Sequence, residues 1–389
     1  MTDVVYKTKV QQCDNCWGKG TVKKFTVKGV PYKIEPKCPK CSGKGVLYIP
    51  TNEVAGFKLI PTNIMDCTVN GFKTDMDTAT KHITETNEKA KEFLESYTRY
   101  SAIRTYLRTF IDGIEKGLDV NNFIHPQFMQ CVTATGRLSS RNPNFQNMPR
   151  GNTFPVRKAI VSRFKNGFIL EGDYRQLEFR VAGFLSKDKQ VYEDVKNNVD
   201  VHQYTADTMG VERQEAKAHT FKPLYGGVLG TPKEMRYYEA FKNKYWQVNN
   251  WHYKLQKEAV STKKITLPSG REYAFPEARW TQYGNVTNST AIKNYPVQGF
   301  ATADLLPLAL VSLSAIMKRN NMKSVICNTV HDSIILDVHP NEKTACIDYL
   351  RFSMLSIKDE CKKRYDIDYD MPIDIELKLG DNWLETKEI

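Results

Sequence analysis

Nine cysteines stand in the 389 residues, and four of them fall in two matching blocks. Cys13-Asp-Asn-Cys16 is followed by Trp17-Gly18-Lys19-Gly20, and Cys38-Pro-Lys-Cys41 by Ser42-Gly43-Lys44-Gly45, so the pattern CxxCxGxG occurs twice. Two such knuckles supply four thiolates at the spacing of one tetrahedral structural zinc, and the glycines permit the tight turns that aim backbone N–H groups at sulfur. A redox dithiol is the competing reading of a single CxxC, and the doubling argues against it. The second chemical signal is a pair of acids. Asp173 lies at the end of the apolar run FILEGDY, and Asp332 lies between the apolar runs KSVICNTV and SIILDVH. Strands that bring two carboxylates side by side build a divalent-cation site, and hard oxygen ligands imply magnesium.

The surrounding pattern predicts the elements that hold these groups. FILEGDY reads as a buried strand ending on an acid, and the two later runs read as a strand pair joined at His331-Asp332. Residues 263–275, KKITLPSGREYAF, alternate like a hairpin with Ser269-Gly270 at the turn. Between the knuckles, VKKFTVKGVPYKIEP has the alternation of a short hairpin with Gly29 near its turn. Phe93, Leu94, Tyr97, Tyr100, Ile103, Leu107 and Phe110 recur every three or four residues, which predicts a helix with a core-facing stripe. Residues 127–150 turn to Thr, Ser, Asn and Pro, a loop composition. The apolar run Phe300 to Met317 contains Asp304 and Pro307, so it reads as a core helix and not as a membrane span. Cys67, Cys131, Cys327, Cys346 and Cys361 show no pairing pattern and read as buried small hydrophobes.

The length predicts two or three domains. With 41% hydrophobic and 26% charged residues the chain has the composition of a soluble globular protein. Its net charge of +12 favours a polyanionic partner, nucleic acid first. The excess is uneven: residues 1–50 hold ten Lys, no Arg and three acids, which is +7, and the other 339 residues carry the remaining +5. The start, MTDVVYKTKV, has no apolar export segment, so the cytoplasm is the expected location, with no membrane partner.

Six ordered blocks carry a family resemblance. Thr135-Gly136-Arg137-Leu138-Ser139-Ser140, followed by Pro143-Asn144-Phe145-Gln146-Asn147-Met148-Pro149, closely resembles TGRLSSxxPNLQNIP of family A (Pol I type) DNA polymerases. Asp173-Tyr174-Arg175-Gln176-Leu177-Glu178-Phe179-Arg180 resembles that family's motif A, DYSQIELR. Arg213, Lys217, Phe221, Tyr225 and Gly226 match its motif B at every spacing. Asn294, Gln298 and Ala303-Asp304 fit NxxxQGxxAD, Val330-His331-Asp332 fits motif C, and Pro372 with Gly380-Asp381-Asn382-Trp383 resembles the family's ending. The zinc repeat is similar to the cysteine-rich domain of J-domain chaperones and to zinc ribbons, which implies the metal and not the task.

The polymerase resemblance implies an α+β right-hand fold, with an antiparallel palm, helical fingers and a reduced helical thumb. The expected divisions are a zinc-binding module at 1–50, linker and thumb at 51–130, palm at 131–200, fingers at 201–290 and palm again at 291–389. It implies two Mg²⁺ ions on Asp173, Asp332 and the Tyr174 carbonyl. It puts Arg213, Lys217, Phe221, Tyr225, Gln176, Glu178 and His202 at an incoming dNTP, with Glu178 as a steric gate against ribose. It puts Arg137, Asn294, Gln298 and His331 at primer-template DNA. The four-residue spacing of Arg213, Lys217, Phe221 and Tyr225 lines them on one helical face, drifting about 40° per step, with Pro223 expected to kink the last turn.

Some positions depart from the family pattern. Ser333 follows His331-Asp332 where the DNA polymerases usually carry Glu, and Thr290 stands where Arg is common. Single-subunit phage-type RNA polymerases carry the same HDS, so a ribonucleotide polymerase or primase-like enzyme is the alternative reading. A non-catalytic DNA-binding replication module is another. No DxE exonuclease block precedes these motifs. A separate exonuclease or processivity polypeptide is therefore an expected partner, the zinc module stands near the usual thumb position, and the design is phage- or virus-like. The lysines around the zinc knuckles are open to two readings, contact with nucleic-acid phosphates or a metal that only holds a small segment together.

Overall fold

The computed structural model describes residues 6–14, 16, 19, 38, 40, 41, 44–54, 57, 58, 67, 68, 71, 72 and 88–389, except 152, 228, 229 and 283. The chain divides into two units, Met1–Asp112 and Gly113–Ile389. In the first, strand β1 (Tyr6–Gln12) pairs antiparallel with β2 (Val46–Val54), whose far edge takes the short β3 (Phe57–Lys58). The ladder from Tyr6↔Val54 to Gln12↔Val46 brings together the chain ends that flank the two knuckles. A two-residue ladder, β4 (Cys67–Thr68) with β5 (Gly71–Phe72), follows. The hairpin expected between the knuckles lies outside the described residues.

Helix α1 (Glu88–Tyr106) runs on into a π-helical turn, Leu107–Ile111. Its stripe departs from the expectation of a core face. Leu94 is buried, but Tyr100, Ile103 and Leu107 are 42%, 40% and 49% exposed. Aromatic residues four apart lie on each other along the helix instead, Phe93 on Tyr97 at 6.3 Å and Tyr106 on Phe110 at 6.1 Å. A stripe at helical spacing marks neighbours on one face, and part of its ring contact is made within the helix itself.

The second unit is built on a five-stranded antiparallel sheet. After the small ladder β6 (Gln127–Met129) with β7 (Ser139–Arg141), the chain enters the central strand β8 (Phe168–Tyr174). Helices α2 (Leu177–Ser186), α3 (Lys189–Lys196), α4 (Val201–Met209), α5 (Arg213–Thr220), α6 (Pro232–Lys244) and α7 (Trp246–Thr262) then follow. The expected hairpin forms as β9 (Lys264–Thr266) with β10 (Glu272–Ala274). Helix α8 (Ser289–Gln298), a π-helical segment Gly299–Leu305 and α9 (Leu306–Arg319) lead to β11 (Val325–Val330) and β12 (Ser333–Val338). Helices α10 (Lys343–Leu355) and α11 (Ile357–Tyr365), then β13 (Ile375–Gly380) and β14 (Lys387–Glu388), complete the unit. The sheet order is β11-β12-β8-β13-β14.

The two faces of β8 differ in kind. Leu170, Gly172 and Tyr174 meet α10, where a Cβ on Gly172 would lie 2.6 Å from the Met354 sulfur, so only glycine lets the helix approach this closely. The Tyr174 hydroxyl donates to the Met354 carbonyl at 2.8 Å and ties strand to helix. Glu171 and Asp173 point to the opposite face by the two-residue period of a strand.

Among the described residues, Ser289–Arg319 is the run long and apolar enough to cross a membrane. It is the core helix that Asp304 and Pro307 predict, because Leu305, Leu306, Leu308, Ala309 and Leu313 are buried in the main hydrophobic cluster. Asp304 itself is buried and takes a two-pronged contact from Arg271, Nε at 2.9 Å and Nη2 at 2.7 Å, with the Ser269 hydroxyl at 2.6 Å. This clip fastens the β9–β10 hairpin to the π-helical segment. Among the loose cysteines Cys346 and Cys361 are buried as expected, Cys327 is intermediate, and Cys131 is exposed, because it sits at positive φ in a polar loop that offers no core. Removing one partner of a buried ion pair leaves an uncompensated charge, so Arg271→Ala should cost about 3 kcal/mol of unfolding free energy. Urea denaturation measures this, and a cost within about 0.5 kcal/mol of zero, typical of a surface change, would contradict it.

Candidate active site

The register of the sheet juxtaposes the two acids. Strand β8 pairs with β12 so that Asp173 lies opposite Ser333, and with β13 so that Asp173 lies opposite Glu376. Asp332 belongs to the two-residue loop between β11 and β12, directly before Ser333, and its carbonyl accepts from the Tyr174 N–H at 3.4 Å. Both acids are therefore set by backbone pairing. The turns beside them carry non-glycine residues in the left-handed region, Gln176 at φ 54° and His331 at φ 56°. Such conformations cost about 1 kcal/mol each and persist where neighbours enforce them. Arg180 does so for the first turn: buried, it donates from Nε to the Arg175 carbonyl at 2.7 Å and from Nη1 to the Pro372 carbonyl at 2.6 Å.

The electrostatics around this pair call for a cation. Burial foremost, and the Asp332 charge next, hold the Asp173 carboxyl well above the usual range. Burial raises Asp332 too, with the Glu178 charge adding and Arg150 and Arg137 opposing. Neither carboxylate forms an ion pair with a described residue. Ser333 offers no third one, since its buried hydroxyl donates to the Val330 carbonyl at 3.0 Å and is spent on the hairpin. Two half-buried, unpaired carboxylates beside a backbone carbonyl form a hard-oxygen donor set that suits a divalent ion such as Mg²⁺.

Other residues expected at the site stand on the helices. Lys217 and Arg213 share α5, but the four-residue face ends there. The helix stops at Thr220, Phe221 is its cap, and Pro223–Tyr225 form a 3₁₀ turn. Pro223 has no N–H to bond to residue 219 and its ring would strike that carbonyl, so the α-helix ends a full turn earlier than the expected kink. His202 Nδ1 lies 2.9 Å from the Thr220 hydroxyl, its ring meets Phe221 edge-on at 5.4 Å, and Phe221 leans on Phe179 at 5.7 Å. Burial lowers the His202 pKa, opposed by Asp200 and helped by the Arg213 and Lys217 charges. The Arg213 Nε donates to Asp200 Oδ2 at 2.8 Å, the same carboxylate that caps α4. Tyr225 ends the 3₁₀ turn and Gly226 follows at φ 82°, against Lys293.

Two residues expected at different ligands meet each other: Arg137 Nη2 is ion-paired to Glu178 Oε1. Arg137 Nε also donates to the Thr302 hydroxyl at 3.0 Å. Arg137 and His331 line one cleft of about 240 Å³ together with Asn144, Gln146 and Thr329. Burial, reinforced by Arg137, Arg150 and Arg157, lowers the His331 pKa. Asn294 and Gln298 stand one turn apart on α8, where the buried Asn294 Oδ1 has no partner among the described residues and the Gln298 carbonyl accepts from Thr302.

Sequence reasoning missed a supporting stack. The Arg157 guanidinium lies 4.0 Å over the Trp383 ring, whose other stacking partner is Phe145 at 6.3 Å. Trp383 Nε1 donates to Glu171 Oε2 at 3.1 Å, and Arg157 Nη2 donates to the Met148 carbonyl at 2.9 Å. This stack fastens the loop around Asn144–Pro149 to β8, two residues from Asp173. Trp383 lies in a recognisable block, whereas Arg157 had no sequence signal.

In the first unit the sulfur atoms of Cys13, Cys16, Cys38 and Cys41 lie within 4.8 Å of one another, all buried. Cys13 and Cys38 sulfurs are 3.8 Å apart, and Cys16 and Cys41 sulfurs 3.6 Å. A tetrahedron with Zn–S bonds of about 2.3 Å has edges of about 3.8 Å. The turns repeat, with Lys19 N–H bonded to the Cys16 carbonyl and Lys44 N–H to the Cys41 carbonyl, both at 3.0 Å, and the Gly45 N–H donates to Cys41 sulfur at 3.2 Å. The donor set fits a zinc ion held by four thiolates.

The model of DNA polymerase family A matches residues 60–385. The chain is 29% identical over 360 residues to DNA polymerase I of Caldicellulosiruptor bescii, covering 85% of this chain and 40% of that protein. It is 30% identical over 313 residues to DNA polymerase I of Lactococcus lactis, covering 74% and 34%. The thermostable DNA polymerase I of Thermus aquaticus is 29% identical over 346 residues, covering 81% and 39%. The chain thus spans two fifths or less of these relatives. A solved polymerase domain of Pol1 from M. smegmatis, in complex with DNA primer-template and dNTP, superposes with a TM-score of 0.71 at 22% identity, covering 85% of this chain and 59% of that one. The second unit accordingly has the right-hand polymerase fold.

Because the native state holds both acids above their unfolded pKa values, it binds protons here more readily than the unfolded chain. Metal-free stability should therefore fall as pH rises from the ordinary carboxylate range through the raised range. Asp332→Asn, which removes one of the two repelling charges, should raise the metal-free Tm near neutral pH by about 2 to 4 °C and flatten that slope. A lowered Tm in differential scanning calorimetry would contradict the electrostatic account.

Proposed function

The chain belongs to DNA polymerase family A, and on that footing we propose that it is a DNA-directed DNA polymerase that extends a primer with dNTPs. The observation that carries this reading is the pair of half-buried, unpaired carboxylates, Asp173 and Asp332, set side by side by sheet register. In the reaction the primer 3′-oxygen bonds to the α-phosphorus, the bond from that phosphorus to the bridging oxygen breaks, pyrophosphate leaves, and the 3′-hydroxyl proton passes to solvent. Asp173, Asp332 and the Tyr174 carbonyl would hold Mg²⁺, which when bound supplies Lewis acidity at the 3′-oxygen and neutralises phosphate charge.

The chain's own groups position the reactants. Lys217 and Arg213 offer two cations to the triphosphate, with neutral His202 beside them as a further hydrogen-bonding group. Phe221 and Tyr225 offer rings to sugar and base, and Gln176 stands at the turn after motif A. Arg137, Asn294, Gln298 and His331 read as contacts to primer-template in the minor groove and sugar, which sense pairing without reading sequence. Glu178 is the steric gate against a 2′-hydroxyl, and its pairing with Arg137 fixes where its bulk stands. The buried Ser333 favours the ribonucleotide alternative, and Glu178 opposes it.

The four cysteines read as a structural zinc site whose lysines Lys19 and Lys44 can meet phosphates. The domain reading keeps 1–50 as the zinc module, 51–130 as linker and reduced thumb, 131–200 and 291–389 as palm, and 201–290 as fingers. A separate exonuclease or processivity polypeptide is the proposed source of editing, in a cytoplasmic and phage- or virus-like setting.

Primer extension with Mg²⁺ and either dNTPs or NTPs tests the reading. Wild type should use dNTPs alone, and both Asp173→Ala and Asp332→Ala should lose at least about a thousandfold in rate, the scale of a lost transition-state charge contact. Glu178→Ala should raise ribonucleotide use about tenfold, which corresponds to ~1.4 kcal/mol. Equal NTP use by wild type would remove the gate from the account. Purified protein should also carry one zinc, lost in Cys13→Ser with Cys38→Ser, and a zinc-free wild type by elemental analysis would refute that site.

A further inference from the structure

A helical irregularity stands beside the proposed gate. Between α8 and α9 the chain widens into seven π-helical residues, Gly299–Leu305, and π turns are rare and found mostly at functional sites. Thr302, in the middle of this segment, is 3% exposed. Its hydroxyl donates to the Gln298 carbonyl at 2.7 Å, so its proton is committed to the helix and its lone pairs remain. Arg137 Nε donates to that oxygen at 3.0 Å, and Arg137 Nη2 is ion-paired to Glu178 Oε1. Three distant parts of the chain thus form one line: the π segment, the loop before β7 and the first turn of α2.

The backbone that carries Arg137 is clamped. Tyr273 of β10 donates to the Thr135 carbonyl at 2.9 Å by crossing Gly299, where a Cβ would collide with its hydroxyl. Gly136 sits at φ 82°, and a Cβ there would lie 2.7 Å from Arg271 Nη1 and 3.2 Å from the Ala303 Cβ. Glycine at both places lets the turn press against the π segment and the β9–β10 hairpin. The Thr133 hydroxyl closes that turn by donating to the Arg137 carbonyl at 2.8 Å. With the backbone fixed, Thr302 decides how the guanidinium is turned, because a planar group bonded through both Nε and Nη2 has one orientation. Burial raises the Glu178 carboxyl and the Arg137 charge opposes it, so this carboxylate depends on that cation.

We propose that Thr302 is a positioning residue for sugar selection: its hydroxyl orients Arg137, and Arg137 holds the Glu178 carboxylate where it meets the 2′ position of the incoming nucleotide. This rests on the polymerase reading with Glu178 as the gate. A steric barrier is sensitive to its placement, since a shift of about 1 Å at a site can change a rate about a hundredfold. Losing the hydroxyl leaves Arg137 Nε without its acceptor, frees the guanidinium to rotate, and lets the Glu178 carboxylate swing with it. The barrier is then present but loosely placed, so selection weakens by less than it does when the barrier is removed.

The test is single-nucleotide insertion by the full chain, with kcat/KM measured for one base as the ribonucleotide and as the deoxynucleotide. Thr302→Val, nearly equal in shape and lacking the hydroxyl, should raise the ribonucleotide-to-deoxynucleotide ratio about fivefold, the scale of one hydrogen bond's net worth. Thr302→Ser keeps the hydroxyl and loses a buried methyl, so it should hold the wild-type ratio while its Tm falls. A ratio that follows the hydroxyl and a Tm that follows the methyl separate positioning from packing. In the Glu178→Ala background Thr302→Val should add nothing further, because no carboxylate is left to misplace. An unchanged ratio in Thr302→Val, an equal rise in Thr302→Ser, or a full additional rise in the Glu178→Ala background would overturn the proposal. Failure of the underlying reading shows separately: wild type would not extend a primer, or Glu178→Ala alone would leave the ratio unchanged, and the proposal would fall with it.

Discussion

Two like charges half-buried against each other are the constraint around which the second unit is organised. Asp173 and Asp332 sit where antiparallel register puts them, and both burial and mutual repulsion oppose their ionisation. Such an arrangement is unfavourable in itself and is held by the rest of the fold. Tyr174 and Gly172 anchor β8 to α10, Arg180 binds the turn beyond it, and Trp383 holds Glu171, two residues before Asp173. Side-chain volume is tuned to this geometry as well: Ser333 turns inward and closes the hairpin with its own hydroxyl, leaving the pair of acids without a third.

Two of the cations expected at the site are held in a parallel manner. Arg213 leans on Asp200 and Arg137 on Glu178, so both arginines already have carboxylate partners. A partner of this kind keeps a long side chain extended and limits the rotamer entropy lost when an anion arrives. It also means that an incoming phosphate competes with an internal acid, and that Glu178 can shift only if Arg137 shifts with it. His202 and Phe221 pack on each other across this group, which couples the end of α5 to the start of α4.

The strands and the pairing of the two acids were legible because their signals are local. FILEGDY maps onto Phe168–Tyr174 residue for residue, SIILDVH onto Ser333–Val338 except for its last residue, and the hairpin near Ser269-Gly270 forms where alternation puts it. The helix face of motif B was misread past Thr220, because a four-residue period describes spacing and a proline decides where the helix stops. The stripe of α1 was misread for a related reason: periodic rings identify one face, and ring-on-ring contact within the helix takes part of what a core would have taken. Arg157 and the Arg137–Glu178 pair were invisible, since they depend on side chains 41 residues apart or on a stack between distant loops. Six ordered motif blocks supplied the site's roles, and only the register of the sheet explains why those residues meet.

A crystal structure of the chain with primer-template, a non-hydrolysable dNTP and Mn²⁺ in place of Mg²⁺ tests the central claim most directly. The account predicts anomalous scattering peaks coordinated by Asp173 and Asp332 together. Peaks confined to other acids such as Glu178 or Glu376, or no bound metal between the two aspartates, would contradict it.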